Sequence, residues 1–322
     1  MIFTDHAQNA LSLGEATLIK LFTQWLDTVN PVYPRGMGDD CAVIEKSPER
    51  LLLTTDTITY RKHFDDSVSA YDAGAKLIKR NVSDIAAMGG IPKQALLTLL
   101  CGPNTSIEWL KAFFDGIRET CLKYQIQLVG GDISSLDPNQ FSAALTLTGD
   151  APQGPKLRRT AGVHDHILVT GQLGGSRLGK HFKFDPRLPE GQWLASQDAV
   201  TAMMDLTDGL GKDLQELLPA KAAAALSLET IPIDSAAQTM SAQSGQPAIA
   251  HAFQDGEDYE LLFTVEASGL DALLKNWEVA FPKTRISRIG QIVSGPNSAL
   301  YLDATTGEAL PWTRGYEHLS ST

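Results

Sequence analysis

Asn81-Val82-Ser83-Asp84-Ile85-Ala86-Ala87-Met88-Gly89-Gly90 decides how this chain is read. A helical pattern starts at Ser69 and runs into this stretch as far as Met88. Gly89-Gly90, with Pro92 beyond, is a stop signal. Gln94–Leu100 then reads as a strand, a helix follows from Ser106 to about Tyr124, and Gln127–Val129 and Phe141–Thr148 are further strands. Within the long helix, Asn81 and Asp84 stand three apart and share one face. Taken alone, that pair reads as a solvated polar patch near a helix end.

The same alternation extends in both directions. Upstream, Gly14 to about Leu26 has the spacing of an amphipathic helix. Cys41–Ile44 and Leu51–Thr55 are short enough for strands, with Ser47-Pro48-Glu49 turning between them. Downstream, Pro152, Gly154 and Pro155 break any regular element, and Leu157 stands alone between Lys156 and Arg158-Arg159. The boundary between two domains, 1–150 and 151–322, is placed there. Strands are then expected at Ile167–Val169, Ala202–Met204, Leu226–Leu228 and Tyr259–Val265, with helices at Leu210–Leu218 and Leu270–Trp277. Each half mixes strands with helices, so the fold class is α/β (mixed α+β).

A length of 322 residues agrees with two domains, and 43% hydrophobic with 20% charged residues is ordinary for a soluble protein. The net charge of −11 argues against a nucleic-acid partner, and means that phosphates need Mg²⁺ or a local basic cluster to bind. Cys41, Cys101 and Cys121 have no CxxC spacing, which argues against structural zinc or a disulfide framework and fits a reducing cytosol. Asp5 near the N-terminus and the lack of a basic leader argue against a signal peptide, and no apolar run approaches a membrane span of about 18 residues. A soluble, cytoplasmic protein is expected.

Aspartate-bearing segments recur: Gly38-Asp39-Asp40, Thr54-Thr55-Asp56-Thr57, Asn81-Val82-Ser83-Asp84, Gly130-Gly131-Asp132 and Asp205-Leu206-Thr207-Asp208-Gly209. Each alone is an ordinary turn, strand end or cap. Together they mix carboxylates with hydroxyls, the hard oxygen ligands of divalent cations, and a multi-metal site points to phosphate chemistry. The glycines of Gly130-Gly131 would also let backbone amides approach a phosphate. Gly174–Lys180 has P-loop spacing, but His181 stands where a P-loop needs a Ser or Thr for Mg²⁺. Arg158 and Arg159 are linker charges or a nucleotide-phosphate clamp. His63 has the profile of a surface histidine, and Trp312 that of a residue closing a C-terminal core. Glu257 and Asp258 mark either a solvated loop or a second pocket.

In this order the segments resemble the thiamine-monophosphate kinase family. The matching pieces include Gly38-Asp39-Asp40-Cys41-Ala42, Thr55-Asp56-Thr57, Asn81 to Gly89, Gly130-Gly131-Asp132, Val169-Thr170-Gly171 and Asp205 to Leu210. Gly256-Glu257-Asp258-Tyr259-Glu260-Leu261 and Trp312…Arg314-Gly315-Tyr316-Glu317-His318 complete the match, which spans nearly the whole chain. The resemblance implies the two-domain fold of the aminoimidazole ribonucleotide synthetase and selenophosphate synthetase superfamily, with N-terminal domains paired in a homodimer. It implies that ATP and thiamine monophosphate give ADP and thiamine diphosphate. By position, Asp40, Thr54, Thr55, Asp56, Asp84, Asp132, Asp205 and Asp208 match Mg²⁺ ligands, with Asp40, Asp56, Asp84, Asp132 and Asp205 central to catalysis. Gly131, Asp132, Thr207 and either Arg158 or Arg159 match ATP contacts. His63, Glu257 and Trp312 match the thiamine site. Asp255 stands where the family commonly has glycine.

The acceptor phosphate is largely dianionic near neutral pH, with a second pKa of about 6, so direct in-line transfer needs positioning and charge neutralisation rather than a strong base. Rival readings are a selenophosphate-synthetase-like or other ATP-dependent synthetase of the superfamily, a non-catalytic module binding thiamine phosphates, and a ligand-free acidic scaffold.

Overall fold

The computed structural model describes residues 2–4, 9–13, 15–30, 50–295 and 299–316. Asp5, Gly38–Asp40, the strand expected at Cys41–Ile44, the turn at Ser47–Glu49, and Glu317-His318 lie outside the described residues. The chain divides into two compact units: Met1–Ile85 with Gly90–Pro152, and Gln153–Thr322 with Ala86–Gly89.

The first unit contains helices α1 (Ala10–Leu13) and α2 (Glu15–Trp25), strand β1 (Arg50–Thr59), helix α3 (Ala70–Ala87, whose last two residues fall in the second unit), strand β2 (Ile91–Cys101), helix α4 (Ile107–Tyr124) and strands β3 (Gln127–Ser135) and β4 (Phe141–Ala151). The sheet order is β1-β4-β2-β3. Pairing is antiparallel except between β2 and β3, which are parallel and joined through α4. The Ser106 hydroxyl accepts from the Trp109 amide to start α4, and Gln125 in the left-handed region (φ 56°) ends it.

Alternation along this sheet separates two faces. Ile58, Ala95, Leu97, Leu99, Ala143, Leu145 and Leu147 are buried on one, while the other carries Leu51, Leu53, Ile91 and Leu96, all substantially exposed. Helices α3 and α4 pack backbone to backbone. A Cβ on Gly74 would lie 2.0 Å from the Phe113 carbonyl oxygen, and one on Gly116 would lie 2.0 Å from that of Tyr71.

The second unit contains β5 (His166–Thr170), α5 (Lys180–Lys183), α6 (Leu188–Ala195), β6 (Val200–Asp205), α7 (Leu210–Asp213), β7 (Ala222–Leu226), α8 (Ser235–Ser244), α9 (Ala248–Gln254), β8 (Leu261–Val265), α10 (Leu270–Ala280), β9 (Ile286–Ser294) and β10 (Tyr301–Asp303). Its sheet runs β10-β7-β9-β5-β8-β6. The sheet is buried on both faces: Ile167, Val169, Met204 and Leu262 belong to one core, Leu168, Met203, Leu261 and Phe263 to the other. That explains why β5 and β8 read as continuous apolar runs rather than alternating ones.

Several expected boundaries change. β1 continues through Asp56 to Thr59, and β3 continues through Gly130-Gly131-Asp132, so neither aspartate lies in a turn. The strand expected at Leu226–Leu228 is Ala222–Leu226, and Leu228 begins a short 3-10 turn. The helix expected over Leu210–Leu218 is α7 followed by a 3-10 turn at Leu214–Leu217. Tyr259 precedes β8 with φ 51°, a backbone that cannot continue a strand.

Candidate active site

In the first unit the site is built on β1 and α3. Thr54 and Asp56 are two apart on a strand and share its helix-covered face. The Thr54 hydroxyl donates to Asp84 Oδ2 in a short hydrogen bond, and Arg80 Nη2 donates to Asp56 Oδ1 at 2.9 Å. Two strand residues advance about 6.6 Å and four helical residues about 6 Å, so the two pairs match when helix and strand run in opposite directions. Thr55 projects to the other face, where its hydroxyl donates to the Leu145 carbonyl at 3.1 Å. His63 lies in the turn after β1. Its Nδ1 accepts the Thr59 amide (3.0 Å), which places the proton of the neutral ring on Nε2, and its carbonyl accepts from buried Lys76 (2.7 Å).

Asp132 and Gly131 are not beside these groups. They lie on β3, the sheet edge opposite β1, paired with Thr98 and Leu97 of β2. Three strand spacings of about 4.8 Å put them roughly 14 Å away across the sheet. Gly131 has no room for a side chain: its Cβ would lie 1.9 Å from the Leu97 carbonyl oxygen.

In the second unit, buried Asp205 ends β6 and the chain turns through Thr207, Asp208 and Gly209. Asp213 Oδ2 accepts the amides of Thr207 (2.8 Å) and Asp208 (2.9 Å) and so shapes the turn. Burial pushes the Asp213 carboxyl up to about 7, the two amides pull it back, and Asp208 and Asp205 add to the rise. Lys212 pairs with Asp208 Oδ2 at 2.7 Å and donates to the Tyr316 carbonyl at 2.9 Å. Glu257 and Tyr259 amides bind the Thr207 and Leu206 carbonyls (2.7 and 2.8 Å), which joins the Gly256–Glu260 segment to the same turn. The Glu257 carboxylate accepts the Tyr259 hydroxyl (3.1 Å) and faces His181 Nδ1 at 3.6 Å. Tyr259 stacks on Phe184 with ring centroids 3.8 Å apart. Trp312 packs on the core against Phe253 (5.3 Å).

The P-loop-like stretch has its anion-binding amides filled from within. Gly174 N–H donates to Asp258 (3.0 and 3.1 Å), and Gly175 N–H to Asp255 (2.8 Å). Lys180 meets Asp258 at 3.5 Å and Glu260 at 3.1 Å. Burial alone would lower the Lys180 pKa, but these carboxylates carry it upward. Arg187 grips Glu260 with two bonds of 2.7 and 2.9 Å. Arg158 and Arg159 form a 3-10 turn with Thr160, where exposed Arg159 pairs with Glu216 at 2.9 Å.

Among the described residues, no three His, Cys, Asp or Glu side chains gather as a ready-made metal cluster. The donors present are hard oxygens, and Mg²⁺ is commonly held by one or two carboxylates plus waters and substrate phosphates, so Thr54, Asp56 and Asp84 fit it. Asp40 lies outside the described residues. Sequence reading missed Arg80, Lys212 and Asp213. Lys212 had a signal, since it stands four residues after Asp208 on a helical path. Among the described residues no helix is long and apolar enough to cross a membrane.

Residues 38–151 match the family model for the AIR synthase related protein, N-terminal domain. Thiamine-monophosphate kinase of Rhodopirellula baltica is 38% identical over 264 residues, covering 79% of this chain and 83% of that one. A crystal structure of thiamine-monophosphate kinase from Stenotrophomonas maltophilia aligns with TM-score 0.74 at 28% identity, over 91% of this chain and 96% of the other. A solved structure of AaThiL complexed with AMPPCP and TMP aligns with TM-score 0.68 at 26% identity, over 94% of this chain and 97% of the other. The chain belongs to the thiamine-monophosphate kinase family.

Proposed function

We propose that this chain transfers the γ-phosphoryl group of ATP directly to thiamine monophosphate, giving ADP and thiamine diphosphate. The observation that carries the reading is the pairing of Thr54 with Asp84 and Asp56 with Arg80 on one face of β1, in a chain of this family. Oxygen ligands and a guanidinium on one rigid strand–helix surface are suited to aligning polyanions. A relative in the solved complex holds AMPPCP and TMP.

Thr54, Asp56 and Asp84 would hold Mg²⁺ in this scheme, with Asp40 assigned to the same cluster, whereas the Thr55 hydroxyl lies on the other face of the sheet, away from them. Asp132, at the far sheet edge, would serve a separate ion, and within the second unit Asp205 and Asp208 are the residues that match Mg²⁺ ligands by position. These residues would hold Mg²⁺, which would supply neutralisation of phosphate charge during transfer. Gly131, Thr207 and Arg158 or Arg159 contact ATP; Arg158 is the stronger candidate, because Glu216 already engages Arg159. Glu257 offers a carboxylate and Trp312 an aromatic face to the cationic thiazolium ring, and His63 presents a fixed Nε2–H donor. The acceptor is already anionic, so no residue here needs to remove a proton from it. The first unit is the ATP/Mg and dimerisation domain, the second contributes to both substrate sites, and a reaction that consumes ATP suits the cytoplasm.

The deciding measurement is coupled ADP release with and without thiamine monophosphate and Mg²⁺. Release that needs both is expected; ADP release indifferent to thiamine monophosphate would overturn the reading. No labelled protein should survive incubation with γ-labelled ATP, since the transfer is direct.

A homodimer is part of this proposal. Leu51, Leu53, Ile91 and Leu96 form an apolar surface on one sheet face, with Leu53 67% exposed, and a second copy of that face is the natural cover. Leu53→Asp should shift the sedimentation coefficient from dimer to monomer without unfolding the chain. A dimer that persists at micromolar concentration would count against this interface.

A further inference from the structure

Helix α9 ends at a side chain that reaches two separate elements. Asp255 Oδ1 lies 2.9 Å from His251 Nδ1, and Asp255 Oδ2 accepts the Gly175 amide at 2.8 Å. His251 is buried, and its Nε2 lies 2.9 Å from the Ser244 hydroxyl at the end of α8. Past Asp255 the chain enters a strained path, with φ of 70° at Gly256, 53° at Glu257 and 51° at Tyr259. Non-glycine residues hold such angles only where the surroundings over-determine them. On the other side of Glu257, Asp258 takes the Gly174 amide. The carboxylates flanking Glu257 therefore grip two consecutive amides of one turn.

We infer that Asp255 is a positioning residue that, with His251 and Ser244 as its anchor and Asp258 as its counterpart, fixes the Glu257 carboxylate for the cationic ring of the substrate. Asp258 fixes the far end of the segment, and Asp255 fixes the near end. With Asp255 cut back, the segment loses its hold on Gly175 and keeps those of Asp258 on Gly174 and of the Glu257 and Tyr259 amides on the Thr207 and Leu206 carbonyls, so the stretch around Gly256 loosens. The Ser244–His251–Asp255 chain has the distances of a nucleophile relay, yet its chemistry is that of an anchor. Ser244 Oγ already accepts the Gln246 amide (3.2 Å), and it sits at a helix C-terminus, where developing negative charge is disfavoured.

The inference rests on the kinase reading for its substrate and on the clamp for its geometry, so the test reads both. Kinetics of ADP release are compared for the wild type, Asp255→Ala and Asp255→Asn, with amide hydrogen exchange over 172–176 and 255–260. Asp255→Ala should raise KM for thiamine monophosphate roughly tenfold, the scale of one lost charge-assisted hydrogen bond, and leave KM for ATP within about twofold. Asp255→Asn, which keeps an acceptor for Gly175, should fall between. Exchange in both segments should quicken in the alanine variant. Unchanged KM for thiamine monophosphate, or an equal rise for ATP, overturns the positioning role, and unchanged exchange overturns the clamp. A wild type that releases no ADP in response to thiamine monophosphate sinks the kinase reading instead, while the exchange comparison still judges the clamp.

Discussion

Gly116→Ala should lower the melting temperature by roughly 6–12 °C, although alanine is the better helix former by about 1 kcal/mol. The reason is the crossing of α3 and α4. The new Cβ would sit 2.0 Å from the Tyr71 carbonyl oxygen and 2.8 Å from its carbon, both backbone atoms with no rotamer to escape into. Gly74 meets Phe113 in the same way, so the two glycines form a reciprocal contact. Relief requires the helices to part. That loosens Leu77, Ile78, Val82, Phe113, Phe114 and Ile117, each buried to 1% exposure or less. Overpacking of this kind costs typically 1–3 kcal/mol, and a main-chain obstacle belongs at the upper end, about 3 kcal/mol. For a unit of this size each kcal/mol moves the melting temperature by about 2–4 °C. Leu122→Ala on the exposed face of α4 is the control, with a shift near zero. A Gly116→Ala variant that melts at or above the wild-type temperature would refute the close crossing.

The same helices mark what could be read from residues alone. α3 is legible because its apolar spacing is regular and Gly89-Gly90 stops it. Its glycine at position 74 carries no such message, since a close crossing is decided by another helix. Residues alone end β1 at Thr55 because Asp56-Thr57 looks like a strand end. The ladder to β4 continues regardless, from Thr54↔Leu147 to Thr59↔Ser142, with Ile58 keeping the buried face. β3 extends for the same reason, held by β2 through Cys101↔Ser135. Ala222–Leu226 is hard to see because alanine has little strand propensity, and pairing with β9 decides it. The carboxylate positions are legible as chemistry but not as geometry. Nothing in the spacing of Gly130-Gly131-Asp132 says that it lies at the opposite sheet edge from Asp56, and nothing in Arg80 says that it crosses to a strand.

Asp84→Asn should cut turnover at least a hundredfold while leaving the fold intact. Removing one preorganised electrostatic contact to a reacting oxyanion typically costs 10²–10³ in rate, and a ligand to the charge-neutralising cation acts on the same quantity. The substitution keeps shape and size. The amide that replaces the carboxylate can still accept the Thr54 hydroxyl through its oxygen, so the strand–helix contact survives. What changes is charge. Arg80 offsets part of the negative charge on Asp56, and the substitution removes one formal charge from what this face offers a cation. Without Mg²⁺ the variant should melt within a few degrees of the wild type, because losing one charge from an acidic surface also relieves repulsion. Adding Mg²⁺ should raise the wild-type melting temperature and raise the variant's much less, since a cation stabilises in proportion to its affinity for the folded state. That thermal difference separates a ligand role from a merely structural one. Near-wild-type turnover at saturating Mg²⁺, together with an undiminished Mg²⁺ shift, would remove Asp84 from the cluster and with it the β1–α3 face as the place where the phosphates are aligned.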